Sequence, residues 1–217
     1  MIDLHTHSLF SDGELTPAES ARRFEVAGYR AVAITDHGDR SNIESIIPSL
    51  VTFCEEMNHR EGIRVIPGIE LTHVRPESIP ALVARSRELG ARLVVVHGES
   101  IVEPVAPGTN RMAIESSVDI LAHPGLIMEE EVSLAKERSV YLELTSRKGH
   151  SLTNGHVARL ARRIGALMVL NSDTHAPEDI LPTARRHEVV LGAGLTEDHY
   201  HAMIKNAESI VERCLAK

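Results

Sequence analysis

The sequence predicts an α/β protein built on a parallel sheet, and three observations carry that prediction. Seven short apolar runs rich in Val, Ile and Leu recur along the 217 residues. Each is too short for a typical helix and is bounded by Gly, Pro or polar residues, so each reads as a buried strand. Helical patterns fill the intervals, so strand and helix alternate. With right-handed crossovers this gives a parallel sheet, open or closed, and seven strands in this length suit a small barrel.

The strand segments are, in order, "MIDLH", "AVAITD", "RVIPGIEL", "RLVVVH", "VDILAH", "VYLELT" and "ALMVLNSD". The first helix, "TPAESARRFEVAG", has Thr16 as N-cap, Pro17 in its first turn and Gly28 at its end. The second, "NIESIIPSLVTFCEEMNHREG", has helical spacing, with Pro48 expected to kink it or mark a late start. "RPESIPALVARSRELG", "MEEEVSLAKERS", "NGHVARLARRIG" and "TEDHYHAMIKNAESIVERCLAK" complete the series, and "APGTNRMAIESS" is its weakest member. No linker, low-complexity tract or internal repeat interrupts the chain, so residues 1–217 read as a single barrel domain. "GAGLTE" lacks the third glycine of a dinucleotide fingerprint, and no GK[ST] phosphate loop is present.

Composition excludes several classes. Aromatics make up 3% with no Trp, too few for base-stacking platforms, and a net charge of −8 argues against long nucleic acids and anionic membranes. Cys54 and Cys214 lie far apart, without the spacing of a thiolate metal site, and so few cysteines fit a reducing compartment. "MIDLHTH" is too polar for a signal peptide, and no run approaches the roughly 20 apolar residues that span a membrane. The expectation is a cytoplasmic protein with no membrane partner.

The polar residues fall at one end of the strands. Strand one finishes in His5 and His7, strand two in Asp36 and His37, and strand three in Glu70. Strand four ends at His97, strand five at His123, and strand seven in Asp173 and His175. In a parallel barrel these ends form one face, where the active sites of such folds sit. Side chains at i and i+2 of a strand share a face, so His5 pairs with His7 and Asp173 with His175. Asp12 stands in an Asp-Gly turn that can fold the first loop back over that face. These candidates are imidazoles and carboxylates without a thiolate, a set suited to Zn, Mn, Fe or Co. His59, His187, His199 and His201 fall in helical stretches and read as solvated surface.

The ordered motifs "DLHTHSLFSDGEL", "ITDH", "GIEL", "VVHGE", "AHPG" and "NSDTH" resemble the polymerase and histidinol phosphatase (PHP) family across essentially the whole chain. The resemblance implies a distorted (β/α)7 TIM-like barrel holding up to three divalent metal ions, most often for phosphoester hydrolysis. It puts His5, His7, Glu70 and Asp173 on the first ion and Asp12, His37 and His175 on the second. Glu70, His97 and His123 would hold the third, with Glu70 bridging. The family often has histidine where this chain has Asp12, a change that keeps ligation and can alter metal preference. Such a cluster lowers the pKa of a bridging water to about 7, supplying hydroxide as nucleophile. Three divalent ions against three carboxylates leave roughly +3, a local cation that draws a phosphate ester into an acidic protein. Asp3 and Asp36 are candidate acceptors for the far nitrogens of the ligand rings.

Strand six ends in no ligand but delivers Arg147 and Lys148 to the same face, where Arg147 could grip a phosphate bidentately. Arg111 and Arg40 are weaker candidates, and His73 and His150 could protonate a leaving group. The function expected is a metal-dependent phosphatase or phosphoesterase acting on a phosphorylated small molecule. Two alternatives stand beside it: a nuclease or phosphodiesterase for short oligonucleotides or mononucleotides, and a non-catalytic metal-binding module of a larger assembly. A metal-dependent amide hydrolase is open on barrel grounds alone.

Overall fold

The structure, a computed structural model, describes residues 1–216. Among them eight parallel strands form one sheet: β1 (Ile2–Asp3), β2 (Ala31–Ile34), β3 (His37–Gly38), β4 (Arg64–Leu71), β5 (Leu93–His97), β6 (Ile120–Ala122), β7 (Tyr141–Thr145) and β8 (Met168–Asn171). The order is β1-β2-β4-β5-β6-β7-β8, with β3 also on β4. Ile34 pairs with Pro67 and His37 with Glu70 at the same offset, so β2 and β3 are one interrupted strand. The seven predicted strands therefore hold. The sheet is nearly closed: Thr6 and Thr174 form a parallel bridge just past β1 and β8. There Asp173 N–H donates to the His5 carbonyl (3.0 Å) and His7 N–H to the Thr174 carbonyl (2.8 Å).

Helices α1 (Pro17–Val26), α2 (Ile43–Asn58), α3 (Ile79–Glu88), α4 (Thr109–Glu115), α5 (Glu129–Arg138), α6 (Asn154–Ile164), α7 (Thr183–Gly192) and α8 (Glu197–Leu215) accompany the strands. Thr16 Oγ1 caps α1 by accepting from Glu19 N–H, as the sequence predicts. α2 starts at Ile43 and runs through Pro48, so the late start is not taken. α4 is the shortest helix, in keeping with its weak pattern. The helix predicted over 196–217 is α8, with Lys217 outside the described residues. α7 is absent from the predicted series because its buried positions are Arg186 and Val190, which make no apolar stripe.

Alternation along the strands builds two apolar layers. Val32, Ile34, Val65, Ile69, Val94 and Val96 pack outward against the helices. Ala31, Ala33, Ile66, Leu93, Val95 and Val169 fill the barrel, where Ala207 and Ile210 of α8 join them. Arg30, just before β2, pairs with Glu208 of α8, and Asp119, just before β6, pairs with Arg213 of the same helix. α8 thus lies across the N-terminal ends of the strands, which leaves the opposite end for chemistry.

The seam between β1 and β8 is held by a buried ion pair. Arg186 of α7 donates to Asp3 Oδ2 (3.2 Å) and to the Leu170 carbonyl (2.8 Å), and its guanidinium lies over the Tyr29 ring at 5.5 Å. Asp3 Oδ1 in turn accepts from Ser172 N–H (3.1 Å). Breaking a buried pair strands a charge at a cost of about 3–5 kcal/mol, whereas removing both partners avoids that penalty. Arg186→Met should therefore destabilise the fold by about that much, and Asp3→Asn/Arg186→Met should recover part of the loss. Denaturant unfolding of the three proteins checks this; equal losses in the single and double variants would discount the ion pair.

Candidate metal centre

The strand alternation that fills the barrel also aims the site. In β4, Val65, Ile69 and Leu71 face the helices, so Glu70 faces in beyond Ile66. In β5, Leu93 and Val95 face in, and His97 follows them. The first strand changes phase. Ile2 and Leu4 belong to the interior, yet the rings of His5 and His7 also turn inward. The phase changes where Leu4 N–H leaves the ladder for Asn171 Oδ1 (2.9 Å). His123, one residue past inward-facing Ala122, enters the site by a backbone turn to φ +26°, and Asp173 sits at φ +56°. Both lie at positive φ, uncommon outside glycine though Asp and His tolerate it better than most side chains.

All nine predicted residues come together as one chain of contacts. His5 Nε2 lies 3.3 Å from Glu70 Oε1 and 3.8 Å from Asp173 Oδ1, and His7 Nε2 lies 3.2 Å from Asp173 Oδ1. The His7 ring sits between those of His37 (4.2 Å) and His175 (4.1 Å). Asp12 Oδ1 reaches His37 Nε2 (3.4 Å) and His175 Nε2 (3.3 Å), so the first loop does fold back over the strand ends. Asp36 shapes that loop by accepting from Ser8 N–H, Ser8 Oγ and Ser11 Oγ, each at 2.7 Å. Asp12 is 57% exposed whereas Glu70 is fully buried, so the centre opens to solvent on the Asp12 side.

The far nitrogens of the rings are already committed. His5 Nδ1 donates to Glu143 Oε1 (2.9 Å), and His175 Nδ1 donates to the Asp173 carbonyl (3.0 Å). His37 Nδ1 lies 2.7 Å from Glu70 Oε2. The neutral form of each ring then presents an Nε2 lone pair to a carboxylate oxygen, a repulsive arrangement unless a cation lies between them. His5 Nε2, both His7 nitrogens, Glu70 Oε1, His123 Nδ1 and Asp173 Oδ1 are buried without a hydrogen-bond partner. Unpartnered imidazole and carboxylate donors converging on shared points fit divalent metal ions. The donor groups of His5, His7 and Glu70, and those of His7, Asp12, His37 and His175, each lie within 4.8 Å of one another.

Charge coupling agrees. Taken as protein groups alone, His37 loses stability for its charged form through burial, but Asp12 and Glu70 outweigh this and raise it to about 10. Burial raises Glu70 and Asp173, yet the surrounding histidines win and hold both well below the ordinary carboxylate range. Burial dominates at His7 and brings it down to about 4, leaving a neutral ring.

Several expectations change in detail. Neither Asp3 nor Asp36 touches a candidate ligand ring: Asp3 is turned to Arg186 and Asp36 to the first loop. The orienting carboxylate is Glu143 of β7, which also accepts from Asn171 Nδ2 (2.8 Å) and His123 N–H (3.2 Å). Its signal was present in "YLELT", where alternation puts Glu143 opposite Leu142 and Leu144. At the expected third position, Glu70 comes no closer to His123 Nε2 than 3.7 Å, while the donor groups of His97, His123 and His150 lie within 4.8 Å of one another. Glu103, unmarked in the sequence reading, meets His73, His97 and His150. Arg147 lies beside the site but donates to Asp179 Oδ2 (3.1 Å), which also accepts from His175 N–H. Arg111 pairs with Glu115 along its own helix, and Arg40 and Lys148 are exposed. Of the four outlying histidines, His59 and His201 are exposed and His187 and His199 half-buried.

Fold and site define a parallel-barrel protein with a histidine–carboxylate cluster able to bind metal on its C-terminal rim. Residues 3–159 match the PHP domain family, and the chain belongs to that family. Asp173 and His175 lie past the matched segment and join the cluster through the closing seam. The chain is 50% identical over 196 residues to an uncharacterized protein of Methanocaldococcus jannaschii, covering 89% of this chain and 90% of the relative. It is 25% identical over 221 residues to a probable phosphatase of a Thermoanaerobacter species, covering 91% and 88%. A chain in the structure of archaeal ribonuclease P with mature tRNA superposes at TM-score 0.74 and 15% identity, covering 99% and 91%. Histidinol phosphate phosphatase from Lactococcus lactis, complexed with zinc, L-histidinol and phosphate, superposes at TM-score 0.59 and 14% identity, covering 90% and 94%. At those identities the two structures establish the fold.

Two outcomes are expected of metal loading. Glu143→Leu removes the acceptor that orients His5 and should weaken metal affinity about 10–100-fold, with Glu143→Gln milder because its amide oxygen still accepts. Competition against a chelator of known affinity measures both, and wild-type affinity in Glu143→Leu would rule out the orienting role. Loading at neutral pH should also release protons, since His37, held at about 10, must give one up to ligate. Affinity should therefore fall as pH falls. Calorimetry in buffers of different ionisation heat reads the release; heats independent of buffer would contradict it.

Proposed function

We propose that the chain is a phosphatase or phosphoesterase for phosphorylated small molecules, working with up to three divalent ions held by His5, His7, Asp12, His37, Glu70, His97, His123, Asp173 and His175. That it is a metal-dependent hydrolase of phosphoester bonds follows from its family and its probable-phosphatase relatives. The single observation that carries the finer reading is the set of buried, unpartnered imidazole and carboxylate atoms facing one another on the rim. Zinc is favoured as a native ion by the zinc-bound histidinol phosphatase of the same fold, with Mn and Fe compatible with the same donors.

When bound, such ions activate water and neutralise phosphoryl oxygens. The chain supplies the rest. Glu143 keeps the His5 proton on Nδ1, so that Nε2 stays an acceptor. The opening beside Asp12 admits an anionic ester to the rim. Arg147, about one-third exposed, keeps donors beyond the one spent on Asp179 and is proposed to grip the phosphate.

A panel of phosphomonoesters and phosphodiesters, assayed with Zn- and Mn-loaded protein alongside elemental analysis, tests the reading. Hydrolysis of at least one small phosphoester with more than one ion per chain is expected. Metal-loaded protein inert toward the whole panel would favour the non-catalytic module, and activity on short oligonucleotides alone would favour the nuclease. On the best substrate, Arg147→Ala should lower kcat/KM by about 10–100-fold, the worth of a charge-assisted hydrogen bond, with metal content unchanged. Arg147→Lys should recover part of that. Unchanged kinetics would return Arg147 to its pairing with Asp179.

A further inference from the structure

Beside the nine residues, one carboxylate repeats the arrangement found at the first two positions. There, the His5 and His175 rings donate from Nδ1 and turn Nε2 toward Glu70 and Asp12 at 3.3 Å in each case. His97 does the same. Its Nδ1 donates to the Gly98 carbonyl (3.0 Å), which can only accept, and its Nε2 faces Glu103 Oε2 at 3.1 Å. A neutral His97 therefore sets a lone pair against a carboxylate, so either the ring is protonated or a cation lies between them.

We propose that Glu103 supplies the carboxylate ligand of the third metal position, which it shares with His97 and His150. The proposal rests on the reading of the rim as a multi-ion centre. The other Glu103 oxygen lies 3.2 Å from His150 Nε2, and the His150 ring is buried against His123 at 4.2 Å. Bonds of about 2.0–2.1 Å to a common ion put neighbouring ligand atoms about 3.0–3.4 Å apart in octahedral or tetrahedral geometry. Both spacings fall in that range, His97 at Oε2 and His150 at Oε1, so the two nitrogens face the two oxygens of one carboxylate. His73 Nε2 donates to Glu103 Oε2 at 2.9 Å, which is the way ligating carboxylates are usually steadied.

The loop that carries Glu103 is anchored at both ends, so its reach into the site is built rather than incidental. Glu99 Oε1 accepts from Gly108 N–H (3.0 Å) and Asn110 N–H (2.9 Å), and Asn110 Oδ1 accepts from Glu99 N–H (2.9 Å). Asn110 Nδ2 then donates to the Pro124 carbonyl (2.9 Å), tying the loop to the segment just past His123. Val102 rests on Gly149, next to His150. Glu103 is thereby presented to the histidines of β5 and of the segment after β7 together.

Metal stoichiometry decides the matter without recourse to activity. Chelator-stripped protein is titrated with zinc against a chromophoric chelator, and bound metal is counted after gel filtration. Wild type should take up three ions and Glu103→Gln two, with the two tight sites unchanged and the circular dichroism spectrum intact. His97→Ala should lose the same ion, and the double variant should lose no more than either single one. Three ions at wild-type affinity in Glu103→Gln would overturn the proposal and make Glu103 merely the partner of a protonated His97. A wild type that stops at two ions would overturn it as well while leaving a two-ion centre. A wild type that binds none would remove the metal reading itself.

Discussion

The centre depends on imidazole lone pairs buried against carboxylates. His5 and His175 each spend the Nδ1 proton on an acceptor that cannot return it, and each presents Nε2 to an acidic oxygen. In water such a contact would relax by rotating the ring or admitting solvent. Here the rings stack on one another and His5 and Glu70 are fully buried, so relaxation is closed off. Only positive charge placed among these groups resolves the arrangement, and a divalent ion does so at several donors at once.

The barrel keeps that arrangement from collapsing. Its interior is apolar from Ile2 to Val169, and α8 covers the N-terminal ends, so polarity is confined to one rim. Parallel strands carry His37, Glu70 and His97 directly and launch the segments that hold the others, and the closing seam brings Asp173 and His175 beside His5 and His7. The buried Asp3–Arg186 pair sits directly beneath that seam. The positive-φ backbone at His123 and Asp173 falls just past β6 and β8, where the strand ends hold both segments in place.

The same fold occurs in a chain of an archaeal ribonuclease P structure and in a zinc-bound histidinol phosphatase, so architecture does not choose a chemistry. The choice lies in the rim. An acidic chain with a net charge of −8 repels polyanions over most of its surface, while the multi-ion centre proposed above would attract a compact anion to one rim. That contrast favours small phosphoesters reaching one opening over extended nucleic acid lying across the protein.

Local patterns in the sequence specify the alternation of strands and helices, the polar end of the sheet and the nine imidazole and carboxylate residues that meet there. These were legible because strand periodicity is local and because metal-competent residues ended six of the seven strands. Tertiary structure decided which acceptors orient the rings. Asp3 and Asp36 stand next to ligands in sequence yet face elsewhere, whereas Glu143, on a different strand, holds His5. It also decided that a loop glutamate, Glu103, reaches three histidines from separate segments. Such partnerships depend on where a closed sheet brings distant segments together and on small phase shifts such as those at Leu4 and His123, which no local pattern encodes.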